Sequence, residues 1–133
     1  MLYALRSLGL QPFMNSVTLE KPRHFVDAAA RLDVLRQVYG SDAAVAKLLG
    51  VDRSQPRRWR EGQLPDPMNA SRLTVLATVV EVLSAMLSPT TIPKWLAGAN
   101  AHLGDRTPLA LLRNGQVSEV FEAMDALRTG AFA

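Results

Sequence analysis

The stretch over residues 73–87 constrains the chain more than any other. Leu73, Leu76, Val80, Leu83 and Leu87 recur at spacings of three and four and share one side of a helix, while Val75, Val79, Val82 and Met86 make further sides apolar. Thr74, Thr78, Glu81 and Ser84 interrupt the run, which falls short of the roughly 20 apolar residues that cross a bilayer. The expectation is a buried helix in water, capped by Asn69 or Ser71 and reaching Leu87, with no membrane partner. Helical surface this broadly apolar must be covered from more than one direction, by the rest of the chain or by a second copy of it. That makes this helix the candidate dimer seam.

The flanking sequence supplies helices to cover it. Pro22 opens one with Phe25, Ala29, Leu32, Leu35 and Tyr39 along one side and Gly40 as its stop. Ser41 before Asp42-Ala43-Ala44 has the form of an N-cap, and the short helix it starts ends at Leu49-Gly50. Asp52 with Gln55 three residues on resembles a capping box for a second short helix through Trp59 to Gly62, closed off by Pro65 and Pro67. Thr91 ahead of Ile92-Pro93 opens a helix with Trp95 and Leu96, and Thr107-Pro108 opens another with Leu109, Leu111 and Leu112. The last helix places Val117, Val120, Phe121, Met124 and Leu127 on one face and stops at Gly130.

No stretch alternates with period two and none repeats, so the fold class is all-α, with an N-terminal helix-turn-helix packed against a C-terminal helical domain. The 133 residues suffice for one compact domain or two small ones sharing a core. Residues 1–21 read as a flexible N-terminal extension, or as sequence upstream of a chain that starts at Met14. Residues 22–70 form the helix-turn-helix part and residues 71–133 the remainder.

Several chemistries are excluded by what the chain lacks. Without cysteine there is no disulfide, thiolate metal site or cysteine nucleophile. Two distant histidines, His24 and His102, give a zinc site little to build from. His102 near Asp105 and Arg106 invites an acid–base reading, but the only adjacent nucleophile is Thr107, which reads as a helix cap, and no Walker-type loop occurs. No catalytic residue, cofactor site or metal ligand is therefore expected, and the chain reads as a binding protein rather than an enzyme. Residues 1–14 carry Arg6 in their middle and offer no basic start or small-residue cleavage site, so the cytoplasm is the expected location.

Charge is unevenly placed. The net charge is only +3, yet Arg53, Arg57, Arg58 and Arg60 fall together with no acid, and residues 118–125 hold Glu119, Glu122 and Asp125 with no base. In a helix-turn-helix the start of the second helix lies in the major groove and needs polar and basic residues over an apolar underside. Arg53, Ser54, Gln55, Arg57 and Arg58 meet that need for operator DNA, with Val45, Leu48, Leu49, Val51 and Trp59 as support. The alternative is a solvated arginine-rich surface on a helical pair used for packing or oligomerisation. Pro56 bears on the choice: deep in a helix it removes a backbone bond, but it is harmless if the helix begins near Ser54.

The C-terminal half carries Trp95-Leu96, Asn100, Leu103-Gly104, Arg106-Thr107-Pro108-Leu109 and Leu112, then Gly115, Val120, Leu127, Gly130 and Phe132. In these residues the chain resembles the Xre/MbcA/ParS-type toxin-binding antitoxins, over about half its length when the helix from Ser71 is included. Asp105 stands where that family often has a second glycine, and Ala99 where a proline commonly precedes the asparagine. The resemblance implies residues 71–133 as a toxin-binding domain, a cytoplasmic RES-domain toxin that destroys NAD as partner, and a homodimer within a larger toxin–antitoxin oligomer. It also implies that the C-terminal end enters the toxin's pocket, which maps onto Arg128, Thr129, Gly130, Ala131, Phe132 and Ala133, with Trp95 as a further contact. On their own chemistry Phe132 can anchor in a partner's pocket or fold back on the last helix. Arg128 can bind an anion or simply complement a helix C-terminus, and Trp95 can be a core anchor. The rival overall reading is a transcriptional repressor without a toxin partner, whose C-terminal half only dimerises.

Overall fold

The structure, a computed structural model, describes residues 23–130, and within them the chain is all-α. In chain order the helices are α1 (Arg23–Tyr39), α2 (Asp42–Leu49), α3 (Gln55–Arg60), α4 (Pro67–Ser84), α5 (Ile92–Ala97), a 3-10 turn (Ala101–Leu103), α6 (Pro108–Arg113) and α7 (Val117–Thr129). The expected extension over residues 1–21 lies outside the described residues.

Helix α4 is the centre. Leu73, Leu76, Ala77, Val79, Val80 and Leu83 are buried along it. α1 lies along it, presenting Ala28, Leu32 and Leu35, and α2, α5, α6 and α7 close further sides. Each large aliphatic side chain so buried contributes about 1.5–3 kcal/mol relative to exposure. The polar interruptions are accommodated locally, since the hydroxyls of Thr74, Thr78 and Ser84 each donate to the carbonyl four residues back at 2.7–2.8 Å. Coverage by the described residues is incomplete: Val82 stays 41% exposed and Met68 62%. Among the described residues no helix is long and apolar enough to cross a membrane.

The ends of α4 differ from the sequence expectation. Neither Asn69 nor Ser71 caps it; Asp66 does, its carboxylate accepting the Asn69 N–H at 3.0 Å with Pro67 just inside the helix. The Asn69 backbone and side-chain donors hold the Asp66 carboxyl below the usual range. The helix stops at Ser84, and Ala85, Met86 and Leu87 turn back with N–H bonds to the carbonyls of Val82 and Leu83. Thr91 also fails as a cap, because its backbone is already helical and its hydroxyl lies 2.8 Å from that of Ser88. Ser41 and Thr107 cap as expected, accepting from the N–H groups of Ala44 and Ala110 at 3.1 Å.

Candidate functional site

Helices α2 and α3 are joined by a tight reversal at Gly50, whose φ of 72° suits a residue without a Cβ. Val51 then donates to the Ala46 carbonyl at 3.0 Å, closing the end of α2. Val45, Ala46 and Leu49 from α2 and Trp59 from α3 are buried beneath the pair. Pro56 sits in the first turn of α3, where no intrahelical N–H is required, so it does not break the helix.

The start of α3 is not a capping box. Asp52 bends back on Ser54 instead, its carboxylate accepting the hydroxyl at 2.6 Å and the backbone N–H at 2.9 Å. Those bonds, the hydroxyl first, hold the Asp52 carboxyl below its usual range. The candidate DNA residues are thereby sorted. Arg53, Arg57 and Arg58 are exposed, and among the described residues none of them makes an ion pair. Ser54 is half-buried with its hydroxyl occupied, and Gln55 is half-buried with Oε1 shielded and without a hydrogen-bond partner among the described residues.

Arg60 has a different task from the arginines beside it. Its Nε and Nη2 grip both Asp42 carboxylate oxygens at 3.0 Å, and Nη1 reaches Asp33 at 2.6 Å. The Asp42 bonds come first among the causes that raise its pKa above the ordinary arginine value. One guanidinium thus ties α3 to α2 and α1. Clustering in the sequence groups it with the basic patch; its partners lie 18 and 27 residues away, beyond any local pattern.

At the other end of the chain Asn100 organises a compact loop. It is 6% exposed, its carbonyl accepts from Leu103 and Asp105 at 2.9 Å, its N–H donates to the Arg106 carbonyl at 3.1 Å, and its side-chain oxygen accepts from the His102 N–H at 2.9 Å. Gly104 and Asp105 both have positive φ, 65° and 64°, and Asp105 is the one non-glycine residue so placed among those described. Arg106 donates to the Leu103 carbonyl at 2.8 Å and to Glu119 on α7 at 3.0 Å, and Gln116 holds the other Glu119 oxygen at 2.8 Å. His102 and Asp105 are exposed, and the Thr107 hydroxyl accepts from the backbone at the head of α6. The sequence signal for this loop is the asparagine and glycine; the Arg106–Glu119 link has none.

Helix α7 packs through Val120, Ala123, Met124 and Ala126 and leaves Phe121 and Leu127 half-buried. At its end Arg128 pairs with Asp125 at 2.6 Å, Thr129 donates to the Asp125 carbonyl at 3.1 Å, and Gly130 closes the helix with φ of 75°. Ala131, Phe132 and Ala133 lie outside the described residues. Trp95 on α5 is half-buried against the core, so it serves packing and still presents surface. A hollow of about 590 Å³ lined by His102, Ser118, Phe121, Glu122, Asp125 and Thr129 opens beside the end of α7. Among the described residues no group of three or more histidine or acidic side chains is arranged to hold a metal ion.

No family model matches the chain. It is 34% identical over 76 residues to the mycobacterial cidal antitoxin MbcA of Mycobacterium tuberculosis and of Mycobacterium bovis, a match spanning 56% of this chain and 67% of the relative. Its backbone is also similar to a chain in the crystal structure of the M. tuberculosis MbcT–MbcA toxin–antitoxin complex, with a TM-score of 0.65, 26% identity, and coverage of 79% of this chain and 96% of that one. Identity at this level over two-thirds of the relative, carried on the same helical backbone, establishes the kinship: the chain belongs to the MbcA family of antitoxins.

Proposed function

We propose that this protein neutralises a cognate RES-domain toxin that consumes NAD, by laying its C-terminal end over the toxin's active site. The observation that carries the reading is the match across nearly the whole of a chain solved in a toxin–antitoxin complex. Physical features support it. α7 ends abruptly at Gly130 with Arg128 and Thr129 exposed, and the residues beyond include Phe132, an aromatic anchor suited to a pocket. Inhibition is steric, so the chain does no catalysis of its own. Residues 71–133 hold the toxin in the cytoplasm, and residues 22–70 act as a helix-turn-helix on operator DNA through Arg53, Arg57 and Arg58. The exposed apolar side of α4 around Val82 serves a homodimer within the larger oligomer.

Deleting residues 129–133 tests the tail. The truncated protein should keep its helical circular dichroism and lose its block on NAD breakdown by the toxin; full inhibition by the truncation would overturn the reading. DNA binding is tested separately with Arg57→Ala/Arg58→Ala. Operator affinity should weaken, with the log–log salt slope flattening by roughly 0.9 for each phosphate that is no longer neutralised. The exposed arginines, which make no ion pair among the described residues, favour DNA binding equally in a repressor without a toxin partner. Mass spectrometry of what copurifies with the native protein separates the two.

A further inference from the structure

Where α2, the head of α4, α6 and the turn into α7 meet, they leave an open groove of about 820 Å³. Leu48, Val75, Leu76, Leu109 and Leu112 form its apolar wall, and the 62% exposed Met68 stands at its edge. The groove also holds Arg72 and Arg113, and among the described residues no acidic side chain lines it. Neither guanidinium makes an ion pair among the described residues, whereas Arg60, Arg106 and Arg128 each meet a carboxylate. Arg113 lies close enough to Tyr39 for its charge to oppose the burial that pushes the Tyr39 hydroxyl up.

An apolar wall beside two cations that meet no anion among the described residues selects a ligand of matching pattern. A hydrocarbon chain would cover the leucines and a carboxylate head would take the planar donors of a guanidinium, two bonds at a time. The size falls within the roughly 300–1,000 Å³ of small-molecule sites, which favour such junctions between helices. The residues 1–22 of this chain are a poor complement, because their side-chain charges are Arg6, Glu20 and Lys21, a net positive set. We propose that the groove binds a medium-chain carboxylate, its chain on Leu76 and Leu112 and its head held by Arg72 and Arg113. Because α2 belongs to the helix pair and α6 to the C-terminal half, the ligand bridges the two. The inference does not depend on the toxin.

Decanoate is the probe, titrated calorimetrically into the full chain, with decan-1-ol and decyltrimethylammonium as neutral and cationic controls. Saturable binding of one decanoate per chain is expected, at least tenfold tighter than either control. Arg72→Gln/Arg113→Gln should erase the preference for decanoate over decan-1-ol while leaving the helical spectrum and melting temperature close to the parent's. Val75→Trp should fill the groove and exclude both; Met68→Trp at the rim is the milder variant should the first not fold. No saturable binding up to ~1 mM, or equal affinity for all three probes, would overturn the proposal. So would a change in sedimentation mass on Arg72→Gln/Arg113→Gln, which assigns the groove to a second copy of the chain.

Discussion

The helix pair α2–α3 and the C-terminal half from Asn100 to Gly130 use arginine in opposite ways. In the pair, Arg60 takes Asp33 and Asp42 and leaves Arg53, Arg57 and Arg58 exposed without an ion pair among the described residues, though Arg58 and Arg53 lie near enough to Asp52 to help hold its carboxyl low. In the C-terminal half, Arg106 is joined to Glu119 and Arg128 to Asp125, so that these two charges are neutralised where they stand and only Arg113 is without an ion pair among the described residues. The first arrangement keeps a positive face in water, which attracts a polyanion over a distance of about 8–10 Å at ordinary salt. The second leaves half-buried Phe121 and Leu127 as the apolar surface of α7. Two surfaces of one small fold are thus fitted to different chemistries, and a count of basic residues would have assigned both alike.

The sharpest way to break the contrast is at Asn100, on which the order of the C-terminal loop depends. Asn100→Ala removes the acceptor for the His102 N–H in a part-buried bond, and such an unmet donor costs toward the lower end of about 1–3 kcal/mol, to which the packing lost by the buried Asn100 side chain adds. Urea unfolding followed by circular dichroism should show a clear fall in midpoint. A change inside about 0.5 kcal/mol would mean that the backbone bonds alone hold the loop.

Next in size is the division among the arginines. Arg60→Ala releases two carboxylates from one 24% exposed side chain and should cost about 1–2 kcal/mol, the charged bonds being discounted for partial exposure. Arg57→Ala and Arg58→Ala should each stay within about 0.5 kcal/mol. DNA affinity should rank them the other way, with Arg60→Ala keeping the parent salt slope. Equal stability losses at all three positions would erase the distinction between the bracing arginine and its exposed neighbours.

Much of this arrangement is legible where local chemistry decides it. Ser41 with Gly40, the Gly50 reversal, Thr107-Pro108 and the stop at Gly130 are each read from a few adjacent residues, and the periodicity of residues 73–83 marks the central helix. Two of the misreadings share one cause, that a residue type can serve two neighbouring elements. By local pattern Pro65 and Pro67 close α3, whereas Pro67 opens α4 behind an Asp66 cap. By the same kind of pattern Asp52 caps α3, whereas it fastens Ser54. What sequence cannot show are the contacts that need the fold: Arg60 reaching α1, Arg106 reaching α7, and the groove assembled from residues 48 to 117.

The smallest effect separates stability from recognition. In the helix pair and its flanks the positive-φ positions Gly40, Gly50 and Gly62 are all glycine, but in the C-terminal loop Asp105 adopts φ of 64°. Holding an L-residue there costs about 1–2 kcal/mol, less for aspartate than for most. Asp105→Gly removes that cost but adds freedom to the unfolded chain worth about 0.5–1 kcal/mol. The net expectation is a gain on the order of 0.5 kcal/mol, read as a small rise in urea midpoint. Asp105 is exposed and three residues from His102, which lines the hollow at α7, and an exposed side chain held at positive φ is one that a binding partner can use. Asp105→Gly should therefore raise stability while weakening the cognate toxin's affinity. If stability rises and affinity is unchanged, Asp105 is a tolerated departure and recognition rests on α7 and the chain beyond it.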